Sequence, residues 1–189
     1  MTDSWLLGVG LAARRAAQAR VLAVVDAAGM TAAEVHRVVD ALAAAGCVSW
    51  LGGGWGVDAL VGRQTREHRD LDLAFDAGDE EIALEVLVSL GYRLEADWRP
   101  VRFELWAPSS RSVDMHPVVL AEDGSGVQAG PDGTTFCYPS DAFTTGVVAG
   151  RVTRCISVDL QLRFHSGYDL REIGWADLEQ LRRVAARDR

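Results

Sequence analysis

Two aspartates, Asp70 and Asp72, stand two residues apart in a segment whose other residues are mostly apolar. Leu71, Leu73 and Phe75 alternate with them, and this period of two is typical of a β-strand with one buried face. The two carboxylates therefore share the other face, with their side-chain roots ~6–7 Å apart. Carboxylates this close repel each other unless a cation lies between them, and hard oxygen ligands of this kind suit Mg²⁺. A pair of solvated surface acids is the alternative.

A third acid, Asp114, lies in the sequence VDMHP, on another strand-like segment. Aspartate is disfavoured in strands, so its presence there calls for a reason. A neighbouring strand could bring Asp114 beside Asp70 and Asp72. Three converging carboxylates would make either a two-metal site or a one-metal site in which Asp114 takes the proton of an attacking hydroxyl.

Three glycines, Gly52 to Gly54, join a short β-compatible segment (residues 47–51) to a predicted helix (residues 55–61). Without Cβ atoms the backbone can approach phosphate oxygens closely, and a helix N-terminus adds free N–H groups and a favourable dipole. A glycine turn between strand and helix is more often structural, and this spacing matches neither the P-loop nor the dinucleotide-binding pattern.

Hydrophobic periodicity and turn residues predict the elements that must position these groups. Helices are expected over residues 12–45 (two, joined at Gly29), 55–61, 79–90, 160–165 and 175–186. Thr31 and Glu34 have the spacing of a capping box. Strands are expected over residues 47–51, 70–75, 92–96, 101–107 and 112–119, with a hairpin around Ala149 and Gly150 and a polar loop over 122–134. The fold class is therefore α+β, a mixed sheet flanked by helices. We divide it into an N-terminal helical segment (1–46), a core (47–156) and C-terminal helices (157–189).

Composition and charge narrow the function classes. The 189 residues fit one medium domain, and a net charge of −8 argues against a protein that grips nucleic acid through a basic patch. The same charge would attract a positively charged small molecule. The three cysteines lack metal-binding spacing and are expected to be buried free thiols. There is no apolar run of about 18 residues and no basic leader, so we expect no membrane association and a cytoplasmic location.

The glycine and aspartate motifs occur in an order that resembles the nucleotidyltransferase superfamily. The string GGWGVDALVGRQTREHRDLDLAF is similar to the antibiotic nucleotidyltransferases, in particular the aminoglycoside 2″-adenylyltransferase and lincosamide nucleotidyltransferase group, and the likeness extends over residues 48–183. It implies the nucleotidyltransferase fold, with Asp70, Asp72 and Asp114 as catalytic Mg²⁺ ligands.

The same resemblance implies that Gly53 and Gly54 line the triphosphate of ATP or another NTP. Arg66 and His68 become candidate phosphate or acceptor contacts. Each has a structural alternative, Arg66 as a surface cation and His68 as a cap at a strand edge.

We therefore predict an enzyme, a monomer or homodimer, that transfers AMP from ATP to a hydroxyl of a small-molecule antibiotic. The acidic charge favours an aminoglycoside acceptor. A lincosamide is the alternative if aromatic side chains line the pocket, the candidates being Trp98, Phe103, Trp106, Phe136 and Tyr138. Two other hypotheses are a toxin-like nucleotidyltransferase acting on tRNA or protein, which the charge disfavours for tRNA, and a non-catalytic nucleotide-binding module, which has no need of three mutually repelling carboxylates.

Overall fold

A mixed β-sheet lies at the centre of the computed structural model, which describes residues 29–108, 110–165 and 172–187. Its strands are β1 (Ser49–Leu51), β2 (Asp70–Asp76), β3 (Arg93–Trp98), β4 (Arg102–Trp106), β5 (Ser112–Leu120), β6 (Gly126–Ala129), β7 (Thr135–Tyr138), β8 (Phe143–Val148) and β9 (Arg151–Ile156). The strand order is β3-β4-β5-β2-β1-β9-β8, and β6 pairs with both β5 and β7. β2 runs parallel to β5 and β1 parallel to β9, whereas the other pairs are antiparallel.

Five α-helices flank this sheet within the described ranges: α1 (Ala32–Ala44), α2 (Gly53–Val61), α3 (Glu80–Ser89), α4 (Val158–Phe164) and α5 (Glu172–Arg187). Short 3₁₀ turns occur at Ala77–Asp79 and Pro131–Gly133. The predicted α+β class with a mixed sheet is confirmed. The helix predicted before Gly29 lies outside the described residues. No helix in the described part of the chain is long and apolar enough to cross a membrane.

The main core covers one face of the strands that carry the acids. Leu71, Leu73 and Phe75 of β2 are fully buried there, together with Val113 and Met115 of β5. Helices α1 and α3 supply the opposing apolar side chains, which include Val35, Val38, Leu42, Ala83 and Leu87. Because side chains alternate along a strand, burying this set forces Asp72 and Asp114 onto the opposite face.

A second, smaller apolar cluster lies on that opposite face, beyond the acids. It consists of Ala74, Val118, Tyr138, Ala142, Ile156 and Leu160. The carboxylates of β2 and β5 therefore lie at the border between this cluster and solvent, where the protein can hold charges without burying them completely.

Helix α1 starts where the sequence predicts. Thr31 is the N-cap, and its hydroxyl accepts a hydrogen bond from the Glu34 N–H at 3.2 Å. The Glu34 carboxylate is turned toward Arg37 and toward the Tyr92 hydroxyl, which donates to it at 2.6 Å. Only one of the two hydrogen bonds of the predicted capping box is therefore formed. The Glu34 carboxylate instead connects α1 to Tyr92, three residues after the end of α3.

One predicted loop is wrong. Residues 126–129 form strand β6, in which Gln128 pairs with Val118 of β5 and with Phe136 of β7. The strand is only four residues long and has glycine at its start and just after its end, so its apolar signal is too short to detect. The hairpin predicted at Ala149 and Gly150 is confirmed, since both have positive φ, 46° and 81°.

The cysteines differ from the prediction in one respect. Cys47 and Cys155 are buried free thiols, and burial raises the pKa of each to about 12. Cys137, on β7, is exposed.

Candidate active site

The parallel pairing of β2 with β5 places Asp72 directly beside Asp114. Neighbouring strands lie about 4.8 Å apart, so the two carboxylates share a small space. Asp70, at the start of β2, pairs with Ser112 and is exposed. Nearby protein atoms displace part of the water around the Asp70 carboxylate, and Asp72 adds a negative charge beside it. Both effects raise the pKa of Asp70, and Arg66 and His68 oppose them only in part.

His116 joins the two acids. It follows Asp114 by two residues on the same face of β5, and its Nε2 lies 3.5 Å from Asp72 Oδ1 and 3.8 Å from Asp114 Oδ2. Ligand-type atoms of Asp72, Asp114 and His116 all lie within 4.8 Å of one another. Burial lowers the pKa of His116, but the nearby carboxylates of Asp72 and Asp114 outweigh it, so the pKa is raised.

Sequence reasoning missed His116, although a signal was present. In the segment VDMHP the histidine has the same period-two relation to Asp114 that Asp72 has to Asp70. The group that the structure brings together within the described ranges is Asp72, Asp114 and His116, and the exposed Asp70 is not part of it.

The two oxygens of Asp114 have different surroundings. Oδ2 accepts a hydrogen bond from Arg102 Nη1 at 2.5 Å, and the Arg102 guanidinium stacks 4.2 Å above the ring centre of Trp98. Oδ1 is buried and has no hydrogen-bond partner among the described residues. A buried carboxylate oxygen without a partner is costly, and a cation beside Asp72 would satisfy it. The donor set therefore fits a divalent metal ion.

The glycine turn lies against Asp72. Gly52 is the N-cap of α2, and its N–H donates to the Asp72 carbonyl at 2.9 Å. Gly53 has a φ of +48°, and a Cβ there would overlap the Asp72 carboxylate. The first turn of α2 can therefore approach the acids only because Gly53 has no side chain, and the free N–H groups of that turn are available to an anion.

Gly54 makes a similar close approach on its other side. A Cβ at Gly54 would overlap the side chains of Arg66 and His68. The structure therefore places the side chains of Arg66 and His68 against the first turn of α2, at Gly54.

Arg66 and His68 belong to one buried polar network. His68 Nε2 lies 2.5 Å from Asp58 Oδ2, and its Nδ1 lies 2.9 Å from Arg66 Nη1. Arg66 also donates twice to Asp177 of α5, at 3.1 Å and 2.8 Å. The network joins α2, the turn before β2 and α5. A direct contact of Arg66 or His68 with phosphate or acceptor stays a prediction.

Solved structures identify the class of protein. The described fold matches a crystal structure of a lincosamide antibiotic adenylyltransferase with lincomycin bound, with a TM-score of 0.75 and 39% identity over 82% of this chain and 99% of that one. It also matches the structure of ANT(2″)-Ia in complex with adenylyl-2″-tobramycin, with a TM-score of 0.66 and 21% identity over 82% and 92% of the two chains. The predicted nucleotidyltransferase fold is confirmed, and the protein is a nucleotidyltransferase.

Sequence comparison specifies the family. The model of the aminoglycoside-2″-adenylyltransferase family matches residues 34–181, and the chain belongs to this family of antibiotic nucleotidyltransferases. It is 39% identical to a lincosamide resistance protein of Staphylococcus haemolyticus over 155 residues, 82% of this chain and 96% of the relative. It is 34% identical to a 2″-aminoglycoside nucleotidyltransferase of Escherichia coli over 126 residues, 65% of this chain and 66% of the relative. The expected preference for an aminoglycoside over a lincosamide gains no support from these relatives.

Proposed function

We propose that this enzyme transfers AMP from ATP to a hydroxyl group of a lincosamide antibiotic and releases pyrophosphate, with Mg²⁺ held by Asp70, Asp72 and Asp114. The main support for this reaction is the pairing of Asp72 with Asp114 across two parallel strands, beside the glycine-rich start of α2. This arrangement offers oxygen ligands for a metal and N–H donors for a triphosphate within one small region.

The metal ligands follow from the two strands. Asp72 and Asp114 face each other, and the buried Oδ1 of Asp114 lacks a partner. Asp70 lies two residues before Asp72 on the same strand face, and we assign it as the third ligand. When bound there, Mg²⁺ would neutralise negative charge at the α-phosphate of the nucleotide.

The remaining groups bind and orient the substrates. The N–H groups at Gly53 and Gly54 bind the triphosphate, because no side chain caps this helix N-terminus and it lies close to the acids. Arg66 and His68 hold that helix start in place through Asp58 and Asp177. In the one-metal alternative Asp114 is instead the base that accepts the proton of the attacking hydroxyl.

Two features support a lincosamide as acceptor. The lincosamide resistance protein is matched over 96% of its length at 39% identity, whereas the aminoglycoside enzyme is matched over 66% of its length. In the site, the positively charged Arg102 forms an ion pair with Asp114 and stacks on the half-exposed ring of Trp98. A guanidinium repels a polycation, and an exposed aromatic ring suits a sugar-amide drug with fewer positive charges.

An aminoglycoside is the second candidate. The family model that matches most of the chain is described by that activity, and the net charge of −8 would attract a polycation. Of the five aromatic residues considered as pocket residues, Phe103 and Tyr138 are buried in the two cores. The other three, Trp98, Trp106 and Phe136, are exposed, and Trp98 contacts Arg102.

Mass spectrometry of the drugs tests the proposal directly. Lincomycin and tobramycin are each incubated with the protein, Mg²⁺ and one NTP at a time. We expect lincomycin to gain the mass of one AMP, with ATP preferred, and Asp72→Asn to abolish the gain. Modification of tobramycin alone would reverse the acceptor assignment. Failure of both drugs, with labelling of RNA or protein in a lysate, would instead favour the toxin-like hypothesis.

A further inference from the structure

A buried glutamine, Gln128, lies on the side of the His116 ring that faces away from the carboxylates. In β6 it pairs with Val118, two residues beyond His116 along β5. Its side-chain nitrogen lies 3.1 Å from His116 Nδ1 and 3.2 Å from the carbonyl oxygen of Val101. Its side-chain oxygen accepts a hydrogen bond from the Tyr138 hydroxyl at 2.7 Å.

The Val101 carbonyl decides which way the Gln128 amide points. A carbonyl oxygen only accepts hydrogen bonds, so the end of Gln128 beside it must be the NH₂ group. The reverse orientation would set two oxygens against each other. In the observed orientation both amide hydrogens and the amide oxygen have partners, which suits a buried side chain.

The position of the His116 hydrogen follows. Because Gln128 donates to Nδ1, that nitrogen accepts, and the hydrogen of the neutral ring lies on Nε2. Nε2 points toward Asp72 and Asp114 but lies 3.5 Å and 3.8 Å from their nearest oxygens, beyond normal hydrogen-bond length. The N–H therefore points into the gap between the carboxylates and has room for a further acceptor.

Metal ligation by His116 conflicts with this network. A nitrogen that binds a metal carries no hydrogen, so ligation through Nε2 would move the hydrogen to Nδ1. The hydrogen on Nδ1 would then point at the N–H of Gln128, so two donors would face each other. Gln128 cannot turn its oxygen toward Nδ1 without losing its hydrogen bond to the Val101 carbonyl.

We propose that His116 is a hydrogen-bond donor to a phosphate oxygen of the nucleotide and not a metal ligand, and that Gln128 is the positioning residue that fixes its tautomer. The phosphate contact rests on the proposed function, whereas the tautomer is a property of the metal-free protein. The metal site is then made of oxygen ligands alone, which suits Mg²⁺ better than metals that prefer imidazole.

Nitrogen-15 NMR of the metal-free protein tests the tautomer. We expect the His116 Nδ1 resonance of an acceptor nitrogen and the Nε2 resonance of an N–H. Gln128→Glu, which replaces the donor by an acceptor, should put a hydrogen on Nδ1. Gln180→Glu makes the same chemical change on α5 and should leave both resonances in place. A hydrogen on Nδ1 in the unmodified protein would overturn the proposal, and this measurement needs no variant to fold and no turnover.

Two further measurements separate the roles of donor and ligand. Pulsed electron paramagnetic resonance of bound Mn²⁺ should show no coupling to a histidine nitrogen, and such coupling would overturn the proposal. His116→Ala should raise the KM for the nucleotide about 10- to 100-fold, as expected for a lost hydrogen bond to a charged group. Its Mn²⁺ affinity should not change, and His116→Gln, which keeps an N–H, should recover part of the loss. Weakened Mn²⁺ binding with an unchanged KM would assign His116 to the metal.

Discussion

Gly53 and Asp72 are so close that any side chain at Gly53 would occupy the space of the Asp72 carboxylate. The glycine also has a positive φ of 48°, which side chains rarely allow. One residue thus satisfies two demands, a left-handed backbone at the start of α2 and contact between that helix and the acidic strand.

Gly53→Ala should therefore damage catalysis more than stability. The new methyl group must displace Asp72 or the first turn of α2, and a displacement of about 1 Å in a catalytic group can cost about 100-fold in rate. We expect kcat/KM to fall by at least about 100-fold, as measured by AMP transfer to drug, while circular dichroism shows a folded protein.

Gly62→Ala provides the matched control. Gly62 ends the same helix with a φ of +83°, but a Cβ there would meet nothing within 4 Å. It should lower the free energy of unfolding by about 1–2 kcal/mol through backbone strain and leave activity intact. Equal activity losses in the two variants would show that strain, and not contact with Asp72, explains the effect.

Removal of a site carboxylate should stop turnover without unfolding the chain. Asp70→Asn, Asp72→Asn and Asp114→Asn each delete one negative charge from the proposed metal site. We expect at least about a 100-fold loss of kcat in each, weaker Mn²⁺ binding by calorimetry, and complete loss of activity in the parent protein treated with a chelator. Asp123→Asn, in an exposed loop where the carboxylate contacts Ser125, should be fully active. Activity retained in Asp72→Asn would remove the metal assignment.

The sequence was sufficient to predict that the two acids of β2 share a face, but not how the acids of β2 and β5 meet. Alternation along β2 put Asp70 and Asp72 on one face, and alternation along β5 could have added His116 to Asp114. The adjacency of β2 and β5 depends on the order of strands in the sheet, which no local pattern encodes.

Partners that come from distant segments were also beyond prediction. Gln128 lies in a strand too short to show periodicity, and Arg102 reaches Asp114 from a neighbouring strand. Arg66 and Asp177 are 111 residues apart. Their pairing depends on where α5 packs. From the sequence, Arg66 could therefore be interpreted only as a phosphate or acceptor contact or as a surface cation.

The pair of Arg66 and Asp177 should couple α5 to the turn proposed to bind the nucleotide. Asp177 is buried, with 5% of its side chain exposed, so Arg66→Gln leaves a buried charge without its partner. We expect the free energy of unfolding to fall by about 3 kcal/mol and the KM for ATP to rise. The loss of stability should lie at the lower end of the range for broken buried ion pairs, because Arg66 is partly exposed. The double variant with Asp177→Asn should recover part of the stability.

The exposed pair of Arg183 and Glu179 on the same helix is the control for that cycle. Its coupling energy should stay within about 0.5 kcal/mol. If Arg66→Gln lowers stability but leaves the KM for ATP unchanged, the network supports the fold only and does not position the helix start.

Glu34 should make stability depend on pH. Burial alone would raise the pKa of this carboxyl, but hydrogen bonds from Arg37 and Tyr92 and the charge of Arg111 lower it below its ordinary value. A carboxyl whose pKa is lower in the folded state stabilises the fold above its unfolded pKa, about 4.3, and this contribution is lost as the pH falls through the folded pKa. Glu34→Gln should therefore cost about 1–3 kcal/mol at pH 7, measured by urea denaturation, and the difference from the parent should shrink below about pH 4. Glu85→Gln, at an exposed position of α3, should cost little at either pH. A difference that stays constant between the two pH values would mean that lost packing, and not the charge of Glu34, explains the effect.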